Sequence, residues 1–146
     1  MDTNQKHGTI DTNEVIQRLK AAGVTPTQQR VEIARMMFSR PQHLSAEQIM
    51  AMAKDEHRIV SKATVYNTLG LFARKGLVRE VIVDPVKVFY DSNISPHQHF
   101  YNVDTGNLID IDATQVRLEN MTSPPEGTVT EGVDIIIRIR NENPAQ

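Results

Sequence analysis

Two imidazoles one residue apart, His97-Gln98-His99, are the first feature of the sequence that could do chemistry. Residues two apart on a strand point to one face, so both rings can meet a single ion. Asp91 precedes them, Asp110 falls on what reads as the next strand, and His43 sits in a loop between two predicted helices. Three imidazoles and two carboxylates form a nitrogen and oxygen donor set suited to iron(II) or manganese(II), with zinc competing by affinity order. An isolated His-x-His also arises by chance on polar edge strands. Two histidines and one carboxylate with open positions would describe a non-haem iron oxygenase. Four helices precede the site and too few strands follow for a barrel, so no enzyme is expected. His7 and His57 read as surface residues, and Met36, Met37, Met50 and Met52 as core filler.

The second constellation lies in Ser61 to Phe72. If Val65, Leu69 and Phe72 face inward, Lys62, Thr64, Tyr66 and Asn67 lie on or beside the opposite surface, near the helix N-terminus. Lys62 and Thr64 suit phosphates, Tyr66 can pack on thymine methyls, and Asn67 can pair with an adenine edge. An ordinary solvated helix face accounts for the same pattern, and the hairpin that follows at wing position tips the reading toward DNA.

Positioning these residues requires particular elements. Val15, Ile16 and Leu19 recur at helical spacing over Asn13 to Ala22, with Gly23 as C-cap. Thr27 caps a second helix with Val31, Ala34 and Phe38 inward, ending before Pro41. Ser45 with Gln48 forms a capping box for a third, and Ser61 caps a fourth that ends at Gly76. From Leu77 the period becomes two, with Val78, Val81 and Val83, the Asp84-Pro85 turn and Val86 to Tyr90, which predicts a two-stranded hairpin. The second half predicts strands over 97–103 and 107–111 around the Asp104-Thr105-Gly106 turn, a short helix over 112–121, a loop over 123–132 and a strand over 133–139.

The expected fold is α+β: a flexible arm (1–12), a winged helix-turn-helix (13–91), a hinge (92–96), a small α/β dimerisation and metal-sensing domain (97–140) and a tail (141–146). A second lobe of about 50 residues is too small for an adequate core alone, which predicts a homodimer.

Composition bounds the rest. The chain of 146 residues has no cysteine, which excludes disulfides, thiolate zinc, iron-sulfur clusters and a Cys nucleophile. Its longest strictly apolar run, Ile49 to Ala53, is far short of the roughly 20 residues that span a bilayer, and Met1 to Ile10 is polar, so a cytoplasmic protein is expected. Residues 1–90 hold 13 Lys and Arg against 9 Asp and Glu, a net +4; residues 91–146 hold 3 against 9, a net −6. The basic part fits phosphate contact, and the acidic part fits cations or self-association.

The motifs Gly23-x-x-Pro26-Thr27-x-x-Arg30, His43-x-Ser45-Ala46-Glu47, Ala63-Thr64-Val65-Tyr66-Asn67-Thr68-Leu69, Tyr90-Asp91, His97-x-His99 and Gly106-x-x-x-Asp110 resemble, in order and spacing, the ferric uptake regulator family. The resemblance spans roughly residues 13–140. It implies a DNA-binding regulator of iron, haem or metal homeostasis. His43, Asp91, His97, His99 and Asp110 would then form the regulatory metal site between the lobes, and Tyr66 would contact bases. Arg30 is counted with Lys62, Thr64, Tyr66 and Asn67 as DNA-facing, and the partner is expected to be an AT-rich inverted repeat in double-stranded DNA. A manganese- or peroxide-responsive member is the alternative.

The chain also departs from the family pattern. Asn102 and Thr105 occupy the first Cys-x-x-Cys pair of the family's structural zinc site, so no zinc of the cysteine type is expected. Gln98 and Arg117 stand where a further family site uses acid and histidine ligands. The cysteine-free second lobe, the run Phe89-Tyr90-Asp91-Ser92-Asn93, Phe100-Tyr101 after His-x-His and the ending 132–140 are most similar to the iron response regulator branch. In that branch DNA binding tends to persist in iron scarcity and to be relieved by haem. Its Cys-Pro haem motif is missing here, which leaves His97 or His99 as haem ligands.

Overall fold

Each of the four α-helices among the described residues begins on a side chain that caps it. In a computed structural model, which describes residues 10–58, 60–84 and 86–143, Asp11 accepts from the Asn13 N–H ahead of α1 (Thr12–Ala21), and Thr27 accepts from the Arg30 N–H ahead of α2 (Gln28–Phe38). The predicted capping box is present before α3 (Ala46–Asp55): Ser45 Oγ accepts from the Gln48 N–H at 3.2 Å, and Gln48 Oε1 accepts from the Ser45 N–H at 2.8 Å. Ser61 caps α4 (Lys62–Arg74) through the Thr64 N–H. These bonds satisfy helix-end donors that would otherwise lack partners. Gly23 and Gly76 adopt φ of +79° and +74°, the left-handed exits that end α1 and α4. The outer part of the expected arm with His7, the Pro85 of the expected hairpin turn and residues 144–146 of the expected tail lie outside the described residues.

The chain divides into two units between Ile94 and Ser95. In the first, Val15, Leu19, Ile33, Met37, Ile49, Val65, Leu69 and Phe72 are fully buried in one core, and Met36 is buried with them while Met50 and Met52 pack against it. The inward set of α4 is thus Val65, Leu69 and Phe72, as its spacing predicts. His57 is exposed with φ of 56° just past α3, a capping position.

The predicted hairpin is β2 (Arg79–Asp84) and β3 (Lys87–Asp91), with a bulge between Ile82 and Asp84. The sheet nevertheless has three strands, in the order β1-β3-β2. His43 is not in a loop. With Leu44 it forms β1 (His43–Leu44), antiparallel to β3, which puts His43 directly opposite Asp91. The Ser92 N–H donating to the Gln42 carbonyl at 2.9 Å, and the Gln42 N–H donating to Ser92 Oγ at 3.0 Å, extend this pairing. A strand of two residues is too short to show alternation, so its pairing partner alone defines it.

The second unit holds a sheet of order β5-β4-β6, with β4 (Gln98–Asn102) antiparallel to β5 (Leu108–Ile111) and parallel to β6 (Ile136–Ile139). The strand expected from residue 133 begins only at Ile136. The helix expected over 112–121 is a single 3-10 turn, Ala113–Gln115, capped by Asp112. Leu118 and Met121, which that helix would have buried, are exposed.

At the β4–β5 turn, Asn102 Oδ1 accepts from the N–H groups of Asp104 and Thr105, while its Nδ2 donates to Asn141 Oδ1 at 2.8 Å. The Asn141 N–H donates in turn to Asp104 Oδ2 at 2.8 Å. An amide network therefore ties this turn to the chain beyond β6, at the positions where the resemblance places a zinc-binding cysteine pair. Asn141, expected in the tail, belongs to the fold. No helix among the described residues is long and apolar enough to cross a membrane.

Candidate functional site

Cross-strand pairing arranges the second unit's titratable side chains. His99 lies opposite Asp110 on β5 and Ile136 on β6, and His97, just before β4, turns its ring toward the same Asp110 carboxylate. His99 Nε2 is 3.2 Å and His97 Nε2 3.5 Å from the same oxygen, Asp110 Oδ1. One donor atom from each of the three residues lies within 4.8 Å of the others. The two rings stand edge to face with centroids 4.5 Å apart, and both are buried, whereas Asp110 is 56% exposed. His97 Nδ1 is 2.6 Å from the Ser95 carbonyl oxygen. A carbonyl only accepts, so Nδ1 donates to it, and Nε2 is left as the ring nitrogen turned toward Asp110, the orientation that a histidine ligating through Nε2 needs.

This donor set fits a divalent cation of iron(II), manganese(II) or zinc type. It does not fit haem as it stands. A macrocycle lies perpendicular to its axial bond, and the two imidazoles converge so closely that a haem bound to one would cross the other. Gln98 and Arg117 are engaged in other contacts. Gln98 Oε1 accepts from the Ile135 N–H at 2.6 Å, anchoring the approach to β6, and Arg117 is an exposed cation beside Glu119.

In the first unit the register places His43 on one side of Asp91 and Arg79 on the other. Asp91 is buried, and its Oδ1 accepts from the Asn93 N–H at 2.9 Å. The His43 ring stands edge-on to Phe89, centroids 6.3 Å apart. The five residues expected to hold metal are thus organised as a pair in the first unit and a trio in the second.

The expected DNA-facing residues lie mainly on α4. Lys62 and Asn67 are exposed, Tyr66 is 38% exposed, and Thr64 is half-buried with its hydroxyl accepting from Ser61 Oγ at 2.8 Å, which leaves its own proton to donate. Arg30 is half-buried on α2 and donates to the Thr25 carbonyl at 3.0 Å. Sequence reasoning gave Glu47 no role of its own. Its carboxylate accepts a hydrogen bond from the Tyr66 hydroxyl, across 19 positions of sequence that leave no local pattern.

The model of the ferric uptake regulator family matches residues 21–136. The peroxide-responsive repressor PerR of Staphylococcus aureus is 30% identical over 106 residues, 73% of this chain and 72% of that protein. The ferric uptake regulator of Pseudomonas aeruginosa, solved with manganese, is 28% identical with a TM-score of 0.66, covering 86% of this chain and 96% of the other. That of Francisella tularensis, solved with iron, shares the fold at 22% identity and a TM-score of 0.69, covering 82% and 93%. The chain belongs to the ferric uptake regulator family, whose members are metal-responsive transcription regulators and not enzymes.

Proposed function

We propose that the chain is a cytoplasmic, homodimeric regulator whose affinity for an AT-rich inverted repeat is set by iron(II) or manganese(II) held by His97, His99 and Asp110 together with His43 and Asp91. The observation that carries this reading is the convergence of two buried imidazoles on Asp110, with the His97 ring oriented by the Ser95 carbonyl. The manganese and iron bound to the two solved regulators agree with this donor chemistry. Lys62, Thr64, Tyr66 and Asn67 on α4, together with Arg30 on α2, would meet the phosphates and base edges of a major groove, and the β2–β3 hairpin would serve as the wing. The test is DNA affinity on an AT-rich palindrome for apo, manganese-loaded and haem-loaded protein. Affinity should change with manganese and fall steeply with salt. Equal affinity of apo and manganese-loaded protein would overturn the reading.

Tyr66→Ala should reduce discrimination between that palindrome and random DNA by about 1 to 3 kcal/mol, the scale of one base contact. Competition binding with both duplexes measures it, and equal losses on the two would place the recognition surface elsewhere.

Dimerisation is assigned to the face of the second sheet opposite His99. Ile109, Phe100 and Ile137 form a row across β5, β4 and β6, with Ile109 46% and Ile137 40% exposed in the single chain. A row of large apolar side chains in so small a unit is the kind of surface a second copy covers. Ile137→Asp should yield monomers or aggregates by sedimentation, and a dimer of unchanged stability would refute this packing.

The finer assignment, to the iron response regulator branch, is supported by the cysteine-free second unit and by the amide network that ties Asn102 to Asn141. Haem would then have to displace one imidazole from its buried place. A Soret titration of the parent, His97→Ala and His99→Ala proteins separates this branch from a manganese- or peroxide-responsive member. Relief of DNA binding by haem, lost in either variant, is its signature.

A further inference from the structure

The Tyr66 hydroxyl donates to Glu47 Oε1 on α3. This hydrogen bond is the largest cause that holds the Glu47 carboxyl below the usual carboxylate range and pushes the Tyr66 phenol above its ordinary value. Through neutral pH Glu47 is therefore ionised and Tyr66 protonated. A carboxylate has no proton to give, so in this contact the phenol must be the donor. Its single proton is committed to Glu47, and among the described residues no other group bonds to the phenolic oxygen. The Lys62 ammonium lies 5.8 Å from the centre of the Tyr66 ring, a second restraint on where that ring points.

Glu47 is an unexpected neighbour for a surface that meets phosphates, because its charge repels them. The start of α3 has little need of it, since Ser45 and Gln48 already complete a capping box. The effect Glu47 does have is to fix the polarity of Tyr66. With its proton withdrawn, the exposed phenol offers only lone pairs. It can then accept from a base amino group, and it cannot donate to guanine O6 or thymine O4.

We propose, resting on the DNA reading above, that Glu47 is a specificity-determining residue that makes Tyr66 a reader of an adenine N6 amino group beside a thymine methyl. Cytosine N4 also donates in the major groove, but a C·G pair has no methyl for the ring. Glu47 thereby lowers affinity for DNA in general and raises preference for one arrangement of base atoms.

The test uses the full chain, with and without manganese(II), to select duplexes from a random pool. Tyr66→Ala locates the base pair concerned, as the position whose preference disappears. At that position, exchanging adenine for purine deoxyriboside, which lacks the 6-amino group, should weaken the parent about tenfold, the scale of one base contact. The same exchange should have little effect on Tyr66→Phe or Glu47→Ala. Exchanging thymine for deoxyuridine should weaken the parent and Tyr66→Phe alike. Glu47→Ala should bind random DNA at least as tightly as the parent, which a merely structural role would not produce. The inference is overturned if Glu47→Ala keeps the parent's sensitivity to the amino group, or weakens on all duplexes equally. A parent that selects no sequence fails the DNA reading itself, and this inference with it.

Discussion

His99→Gln should lower manganese(II) affinity by at least about a hundredfold, the upper end of what loss of even a supporting residue does to a metal site, while the apo protein stays folded. His99 is the most buried member of the trio, and cross-strand pairing on both sides, Asp110 on β5 and Ile136 on β6, fixes its position. Its Nε2 approaches Asp110 Oδ1 more closely than that of His97 does. Glutamine is the informative substitution. It fills a similar volume and can still donate to Asp110, so a structural role survives, but an amide is a poor ligand for these ions. His99→Ala adds a cavity and confuses the two roles. Isothermal titration with manganese(II) gives the affinity, and apo thermal unfolding gives the control. A variant that binds manganese as the parent does would reduce the trio to a buried hydrogen-bonding group. Asp110→Asn should have a smaller effect, because water can take the place of a carboxylate that is 56% exposed.

What the sequence revealed of this arrangement depended on how local the determining interactions are. Asp11, Thr27, Ser45 and Ser61 act on N–H groups two or three residues away, so all four helix starts are written in short stretches. The His-x-His face needs only the alternation of a strand, and Asp110 falls opposite His99 because the Asp104-Thr105-Gly106 turn sets the register. The segment over 112–121 was misleading for a related reason. Asp112 does cap a turn, but Val116 and Leu118 are two apart and share no helical face, and a helix there would have needed a partner to bury Leu118 and Met121. Pairings between distant residues left no trace. His43 joins Asp91 across 48 positions, Tyr66 joins Glu47, and Asn102 joins Asn141. Each is decided by tertiary packing: residue type put His43 in the candidate donor set, but nothing local in the sequence paired it with Asp91.

The loss of response expected for His43→Ala follows from where its strand sits. β1 is held to β3 by backbone bonds that do not involve the imidazole, so removal of the ring leaves Leu44, Tyr90 and the Gln42–Ser92 pairing in place. The trio of the second unit is equally untouched, and with it most of the proposed metal affinity. In the proposed five-residue site, what disappears is one of the two donors assigned to the first unit, the other being Asp91. A ligand shifts a conformational equilibrium only by its differential affinity for the two arrangements. Moving a population from mostly one to mostly the other takes roughly 10⁴-fold preference, about 5.5 kcal/mol. If His43 bridges as proposed, its loss removes a large part of that difference while leaving binding itself largely intact. His43→Ala should therefore titrate with manganese(II) much as the parent does, yet show little metal-dependent change in affinity for the palindrome. Paired measurements on one preparation, metal affinity by calorimetry and DNA affinity by fluorescence anisotropy across the same metal range, separate the two effects. A variant whose DNA affinity responds to metal as the parent's does would show that His43 is not part of the coupling, and that the second unit acts on DNA binding without a ligand from β1.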